Sequence, residues 1–413
     1  MKKMKLQHYG GLRVNKMKKN KVTIVLVGII AILAISLAVT FAVTRSNSKK
    51  RQSGFYYINH EGEVVSDVFD RDTYLDTFDK YGIAKIMKKS GGNTILDDEI
   101  YFIDTDFNVI GNRVFTYDNA IEWEYDNKVY FLCREGTDFQ ILDSNMNVVS
   151  SIDNYFSDDS KLTAYVSHGL AKGWIPIRSK ESNYEKMGYI DINCNYVIEP
   201  KYCYCREFSD DGLAMACEEL NKKGVIDEKG EYVIAPKYYQ ISNFSHGVAM
   251  AQETENGEAR LIDRSGNIIS KESYEYMYDF VDDLFSEKYV YASEYGNSKI
   301  GFIDETGNFV IELDKRKGNF SGGYAYVEDK NGKFGFIDEN GNLVIPYQYD
   351  SAGDFTEDGI APVKVGSLWG YIRTDNTWVL EPQFEEVSFF KNGYAYIWLN
   401  EDQQIKPMLT NME

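Results

Sequence analysis

The sequence predicts an all-β repeat protein of nine three- to four-stranded antiparallel units, propeller-like in arrangement and preceded by one N-terminal transmembrane helix. Three observations lead there. The tripeptide Gly-x-Ala occurs at Gly82-Ile83-Ala84, Gly169-Leu170-Ala171, Gly212-Leu213-Ala214, Gly247-Val248-Ala249, Gly323-Tyr324-Ala325, Gly359-Ile360-Ala361 and Gly393-Tyr394-Ala395. Successive alanines are 87, 43, 35, 76, 36 and 34 residues apart, and the two long gaps, each near twice a short one, point to degenerate copies near Val129-Tyr130 and Val290-Tyr291. Self-similarity at such a period marks a repeat architecture. The 413 residues include 32 Tyr and 23 Phe but only 7 Pro, a composition that suits pleated, half-buried surfaces. Finally, Val22 to Val43 is a run of 22 residues without a charge, enough to cross about 30 Å of hydrocarbon as a helix.

Taken in chain order, residues 1–21 read as a basic cytoplasmic tail, 22–43 as the transmembrane helix and 44–53 as a polar linker. Eight Lys and Arg side chains precede the apolar run and four follow it before Gly54, so the positive-inside rule leaves the N-terminus in the cytoplasm and exports the body. A cleaved signal peptide is the competing reading. Its apolar core would span about 7–15 residues and end at a small-residue site, whereas this run is longer and Ala38-Val39-Thr40 is a poor site. No cysteine follows closely enough to take a lipid. An uncleaved anchor in the cell membrane is therefore expected, with degenerate repeats over 54–187, well-matched repeats over 188–400 and a C-terminal tail over 401–413.

Each unit opens with two apolar runs joined by a short Asp/Asn/Gly segment, as in Gly335-Phe336-Ile337-Asp338, Glu339-Asn340-Gly341-Asn342 and Leu343-Val344-Ile345-Pro346. This is the pattern of a β-hairpin with glycine in the left-handed position. Equivalent hairpins begin near Tyr57, Phe102, Ile141, Gly188, Gly224, Leu261, Gly301 and Gly370, nine in all. A turn containing Pro and Tyr is expected next, at Pro200-Lys201-Tyr202, Pro236-Lys237-Tyr238 and Pro346-Tyr347-Gln348-Tyr349. A phenylalanine (Phe78, Phe208, Phe244, Phe320, Phe355, Phe390) then stands three or four residues before Gly-x-Ala. The alanine opens a third strand, on which Ala361, Val363 and Val365 share a face and Lys364 points away. The fixed small residue marks the closest approach of neighbouring units, and the fixed aromatic their widest shared core. A meander of this period suits a toroidal propeller or an open β-solenoid. The lone final strand, Tyr394 to Leu399, could pair with the first hairpin and close a ring.

The motif x-Gly-[Phe/Tyr]-Ile-Asp-x-x-Gly-x-x-Val-Ile-Pro-x-x-Tyr, followed by Phe-x-x-Gly-x-Ala-x-Val, resembles the bacterial WG (or KWG) repeat. The eponymous pair survives at Trp369-Gly370, while Phe334-Gly335, Ile300-Gly301, Lys223-Gly224 and Met187-Gly188 replace it elsewhere. The resemblance implies a non-enzymatic, often exported repeat protein with undefined ligands.

Charge and side-chain chemistry narrow the function. The net charge is −19, and residues 1–51 carry twelve basic and no acidic side chains, so subtracting those twelve leaves the remainder at −31. An acidic body of that size repels nucleic acid. An odd count of five cysteines (Cys133, Cys194, Cys203, Cys205, Cys217) cannot all pair within one chain. Cys203 and Cys205 sit at strand spacing, unsuited to bonding each other, while one disulfide among Cys194, Cys203, Cys205 and Cys217 is open; burial suits most of them. Neither these nor His60, His168 and His246 show metal-ligand or triad spacing, so no cofactor, metal or catalytic residue is expected. The Asp-x-x-Gly-Asn loops (Asp263, Asp304, Asp338) offer too few carboxylates for calcium and suit turn capping. Carboxylate pairs at Asp97-Asp98, Asp158-Asp159, Asp210-Asp211 and Asp282-Asp283 keep a propeller-type hydrolase open as an alternative. Tyr202, Tyr204, Tyr238, Tyr239, Tyr347 and Tyr349 are either core or a ladder for a cell-wall glycan or a choline-like headgroup. The leading expectation is a membrane-anchored extracytoplasmic scaffold for a protein or a wall polymer.

Overall fold

A computed structural model describes residues 51–89, 98–116, 120–153, 155, 175–178, 186–209, 212–275, 290–294, 296, 299–313, 318–401 and 403–406. The tail, the apolar run 22–43, Gly169-Leu170-Ala171 and His168 lie outside them. Among the described residues no helix is long and apolar enough to cross a membrane. The body, Gly54–Leu399 with Gln404–Glu413, is one compact unit.

Among the described residues nine antiparallel sheets follow one another along the body. Sheet 1 joins Gly54–Asn59 to Tyr394–Leu399, and sheet 2 holds Thr73–Leu75, Ala84–Lys88, Glu99–Ile103 and Phe115–Thr116. Sheet 3 comprises Ala120–Tyr125, Lys128–Glu135, Asp138–Asp143 and Val148–Ile152; sheet 4 comprises Ile175–Arg178, Met187–Ile190 and Tyr196–Tyr202. Sheet 5 is Tyr204–Cys205, Ala214–Glu219, Lys222–Ile226 and Tyr232–Tyr238, and sheet 6 is Gln240–Ile241, Val248–Gln252 and Ala259–Asp263. Sheet 7 contains Val290–Ser293, Ile300–Ile303 and Phe309–Leu313, sheet 8 Tyr324–Glu328, Phe334–Asp338 and Leu343–Tyr349. Sheet 9 ends the series with Ser351–Ala352, Ile360–Val365, Leu368–Arg373 and Trp378–Phe384.

The predicted third strand pairs with the hairpin in one register. Ala84 faces Ile103, Ala214 faces Ile226, Ala249 faces Ile262, Ala325 faces Ile337 and Ala361 faces Ile372. In the degenerate copies Phe131 opposite Leu142 and Val290 opposite Ile303 take the alanine's place. Sheet 4 corrects the sequence reading. Its third-type strand is Ile175–Arg178, with Ile175 opposite Ile190, so Ile175, four residues beyond Ala171, holds the repeat's register.

Nine apolar cores separate the sheets, one per junction. Tyr57 of sheet 1 packs with Phe78, Ala84 and Ile103 of sheet 2, Phe102 with Phe131 and Leu142 of sheet 3, and Ile141 with Ile175 and Ile190 of sheet 4. Tyr189 meets Phe208 and Ala214 of sheet 5, Val225 meets Phe244 and Ala249 of sheet 6, and Leu261 meets Ala292 and Ile303 of sheet 7. Phe302 reaches Phe320 and Ala325 of sheet 8, and Phe336 reaches Phe355 and Ala361 of sheet 9. The ninth core, between Tyr371 of sheet 9 and Phe390, Ala395 and Ile58 of sheet 1, closes the series. An open row of nine sheets has eight junctions; nine junctions make a ring, so the toroidal alternative holds over the open solenoid. Pairing of the first strand with the last also leaves neither as a bare edge.

The repeat's small and aromatic residues have the packing roles expected of them. Alanine and the upstream phenylalanine both face the preceding sheet, where Tyr57–Phe78, Tyr189–Phe208, Phe302–Phe320, Phe336–Phe355 and Tyr371–Phe390 have ring centroids 4.6–5.1 Å apart. Such pairs contribute about 1 kcal/mol beyond the area they bury. The intervening residue of Gly-x-Ala faces the other way: Ile83 and Val248 pack on the next sheet. Strands covered on both faces lose clean alternation. Ile360, Ala361, Pro362 and Val363 are all buried while Val365 is exposed, so the one-sided face expected through Val365 does not form.

Two further features correct the expectation of a Pro/Tyr turn. Pro200, Pro236 and Pro346 lie inside strands, at bulges where the last strand gains residues against its partner, as between Lys223–Tyr238 and Val225–Ile234. Proline is tolerated there because a bulge breaks the ladder. The arching strand brings its carbonyl onto the motif glycine: a Cβ on Gly188, Gly224, Gly301, Gly335 or Gly370 would lie 2.0–2.6 Å from the carbonyl oxygen of Ile198, Ile234, Ile311, Ile345 or Leu380. That close approach is why the motif needs glycine. The chain then leaves for the next sheet through a single residue, Cys203, Tyr239 or Asp350.

Candidate functional site

The hairpin turns are closed by their own side chains. Oδ1 of Asp104, Asp143, Asp191, Asp227, Asp263, Asp304 and Asp338 accepts the backbone N–H groups two and four residues on, at 2.8–3.0 Å. The third residue after each Asp, or after Asn59 and Arg373 in the two remaining units, has a positive φ: Gly62, Phe107, Met146, Cys194, Gly230, Gly266, Gly307, Gly341 and Asn376. These carboxylates cap turns. Among the described residues no cluster of three His, Cys, Asp or Glu is placed to hold a metal.

The candidate tyrosines divide. Tyr202, Tyr238 and Tyr349 are buried, each facing the residue that precedes the motif glycine (Lys223 for Tyr238, Phe334 for Tyr349, Met187 for Tyr202). Two of them reach across a junction: the Tyr202 hydroxyl donates to the Gly230 carbonyl at 2.6 Å and Tyr349 to Asn376 Oδ1 at 2.6 Å. Tyr274 does the same to the Gly307 carbonyl. The surviving motif tryptophan, Trp369, is half-buried opposite Phe384, within the sheet. Tyr347 stays exposed.

Asp97 and the pairs Asp158-Asp159, Asp210-Asp211 and Asp282-Asp283 fall outside the described residues. Asp354 is the one described carboxylate whose pKa is raised, to about 6, by burial. It lies near Gly318 and the ring of Tyr326, and its Oδ1 has no hydrogen-bond partner among the described residues. His60 stands 3.5 Å from Asp358 and against the Phe390 ring, and His246 occupies a tight turn with positive φ. A cavity of about 510 Å³ opens between sheets 2 and 3, lined by Tyr81, Ile83, Lys128, Tyr130 and Asp143 among others; Asp143 is already spent on its turn.

One surface feature repeats with the sheets and was not foreseen. An apolar residue is exposed at one equivalent position in seven units, at 37–44%: the second residue of the last strand at Val149, Val197, Val233, Val310 and Val344, and a position outside any named strand at Val65 and Ile269. The residue before it is exposed as well at Val148, Tyr196, Ile268 and Leu343. The following residue turns inward as Ile198, Ile234, Ile311 and Ile345. The signal lay in the Val-Ile dipeptide of the motif, which reads as a buried run although its first residue is exposed and its second buried. These equivalent exposed positions, one or two per unit, are here called the apolar belt.

Five segments match the WG containing repeat: 187–221, 224–256, 300–334, 334–369 and 369–400. The matched segments lie where the motif is clearest; 1–186, 257–299 and 401–413 lie outside them. No curated protein matches the sequence. Among solved structures, similarity extends to BamB from Moraxella catarrhalis (11% identity, 84% of this chain and 99% of that one, TM-score 0.40). It extends also to the dihydro-heme d1 dehydrogenase NirN in complex with DHE (13%, 72% and 72%, 0.41) and to a streptogramin B lyase (15%, 79% and 98%, 0.29). Likenesses this distant carry no argument about function.

Proposed function

We propose that this chain is a membrane-anchored, extracytoplasmic, non-catalytic scaffold that binds a protein or a cell-wall polymer through its repeated surface. The observation that carries the reading is the apolar belt, one or two exposed residues at the same register in seven of nine units. An exposed apolar residue repeated at one position per unit departs from the scattered single hydrophobics that are normal on a protein surface. Equivalent patches on one rigid ring let an extended partner engage several units at once, gaining avidity without a deep pocket. The charge-free run 22–43, flanked by basic residues, supplies the anchor and places the ring outside the cytoplasm. Tyr196 and Tyr347, exposed on last strands, favour a glycan as the second reading, since aromatic faces stack on sugars.

The test is proximity labelling in living cells with the body tagged, in the native chain and in a variant carrying Val197→Lys, Val233→Lys, Val310→Lys and Val344→Lys. Labelling of envelope proteins that disappears in the folded variant supports the scaffold. Pull-down on purified wall material, lost on Tyr196→Ser and Tyr347→Ser, selects the glycan reading. Labelling of cytoplasmic proteins alone overturns the topology, and an unchanged pattern in the variant overturns the belt.

A further inference from the structure

Sheet 5 departs from its neighbours in two coupled ways. It carries two of the five cysteines, Cys205 and Cys217, with a third, Cys203, at its entry, and it alone among the matched repeats has a lysine, Lys223, where the repeat's tryptophan stands. The structure brings these departures together. Cys203 is the single residue through which the chain turns from the last strand of sheet 4 into the first of sheet 5. Its backbone N–H donates to the Cys217 carbonyl at 2.8 Å, and the two Sγ atoms lie 3.1 Å apart with no bond between them. Cys203 is half-buried, whereas Cys217 is fully enclosed. Lys223 is held beside them by the Tyr239 carbonyl at 2.6 Å and Gln240 Oε1 at 3.0 Å.

We propose that Cys203 and Cys217 form a redox-active pair, closed to a disulfide by exchange with a small-molecule or protein disulfide, with Lys223 as the positioning cation. The accessible thiol acts first. The Cys203 thiolate attacks one sulfur of the incoming disulfide, breaking its S–S bond and expelling one thiolate, which takes up the proton lost by Cys203. Cys217, deprotonated in turn, attacks Cys203 Sγ, forms the internal S–S bond and expels the second thiol with its proton. Two protein thiols are oxidised and one external disulfide is reduced to two thiols, so atoms and electrons balance. Rates of such exchange follow the thiolate fraction and access. Burial, reinforced by the neighbouring Cys203, pushes the Cys217 thiol up to about 12, and the ammonium of Lys223 opposes that by attracting the anionic sulfur. Cys205, one residue from the corner strand's start, faces Tyr189 in the core instead. The closed pair would staple the corner between sheets 4 and 5.

The experiment incubates the full chain with oxidised glutathione, blocks remaining thiols with iodoacetamide and digests with trypsin. Cleavage after Lys201, Arg206 and Lys222 puts Cys203 and Cys205 on one peptide, 202–206, and Cys217 on another, 207–222. The expected product is these two peptides joined, lighter by two hydrogens than their sum and separated again by dithiothreitol. It persists in Cys205→Ser, is lost in Cys203→Ser with the far-ultraviolet circular dichroism unchanged, and forms several-fold more slowly in Lys223→Met near neutral pH. The proposal falls if the join survives Cys203→Ser and disappears in Cys205→Ser. It falls equally if the folded chain stays fully alkylated at both positions while the urea-unfolded chain oxidises in the same glutathione.

Discussion

Ala395 lies opposite Ile58 in the pairing that joins the last strand of the body to the first. The same alanine–isoleucine opposition recurs inside sheets 2, 5, 6, 8 and 9, so the seam between the chain's ends is built like any internal contact. Both residues are wholly buried.

The seam makes the first prediction. Ala395→Glu puts a charge into the junction between sheets 9 and 1, and leaving it unpaired there costs about 3 kcal/mol or more. Amide exchange of residues 54–59 should accelerate together with that of 394–399, as Ala361→Glu does for its own junction. Protected amides at 54–59 in the Ala395→Glu chain would show that the ring does not close there.

Glycines should split into two classes. Gly335→Ala forces a Cβ to 2.5 Å from the Ile345 carbonyl oxygen, an overpacking expected to cost about 3 kcal/mol. Gly359→Ala meets nothing within 4 Å and has φ +68, so only the left-handed conformation is charged, about 1 kcal/mol. Urea midpoints of the two variants give the ranking.

Tyrosine hydroxyls at the junctions are unequal in the same way. Tyr202→Phe removes one of two donors to the Gly230 carbonyl and leaves Lys201 Nζ on it at 2.8 Å, a loss of about 1 kcal/mol. Its ring neighbour Tyr232, 6.1 Å away and edge-on, has a buried hydroxyl with no partner among the described residues. Tyr232→Phe should be neutral or stabilising in thermal melts.

Acid and neutral pH should separate two kinds of aspartate. The Asn267 and Asn342 side chains, with the backbone N–H groups of the same residues, hold Asp263 and Asp338 below the usual carboxylate range. Folded values below the unfolded one, about 3.9, give stability that is complete above that value and lost as pH falls through the folded one. Asp354 has the opposite sign. Its folded value of about 6 means stability is greatest below about 4 and declines as pH rises through 6. Asp354→Asn should raise the melting temperature at pH 7.5 and leave it unchanged at pH 4, whereas Asp338→Asn should lower it at pH 7.5.

The repeat and its packing residues were legible because alanine, phenylalanine and glycine recur wherever a junction or a bulge demands them. Two of the hairpins that read more weakly, at Phe102 and Ile141, lack the turn glycine because Phe107 and Met146 hold the left-handed position with φ of 63–64°. Phe107 offsets that strain by packing on Tyr57 and Phe78, and Met146 by filling the core between sheets 2 and 3. Pro236 and Pro346 read as turns because local chemistry cannot distinguish a turn from a bulge whose partner strand lies elsewhere in the sequence. Ala171 misled for a related reason: a matching tripeptide says nothing of which residue meets Ile190, and Ile175 does. The apolar belt was hidden for want of a third dimension, since Val197 and Ile198 are adjacent in sequence and opposite in exposure.

Corners of one residue at Cys203, Tyr239 and Asp350 leave the polypeptide no slack between neighbouring sheets. A residue inserted there shifts the register of two sheets together, while one inserted at the Asp126-Asn127 hairpin tip, where both residues already have positive φ, is absorbed locally. Length variation in such a molecule is therefore confined to its loop tips, and whole units are the smallest increments by which its circumference can grow.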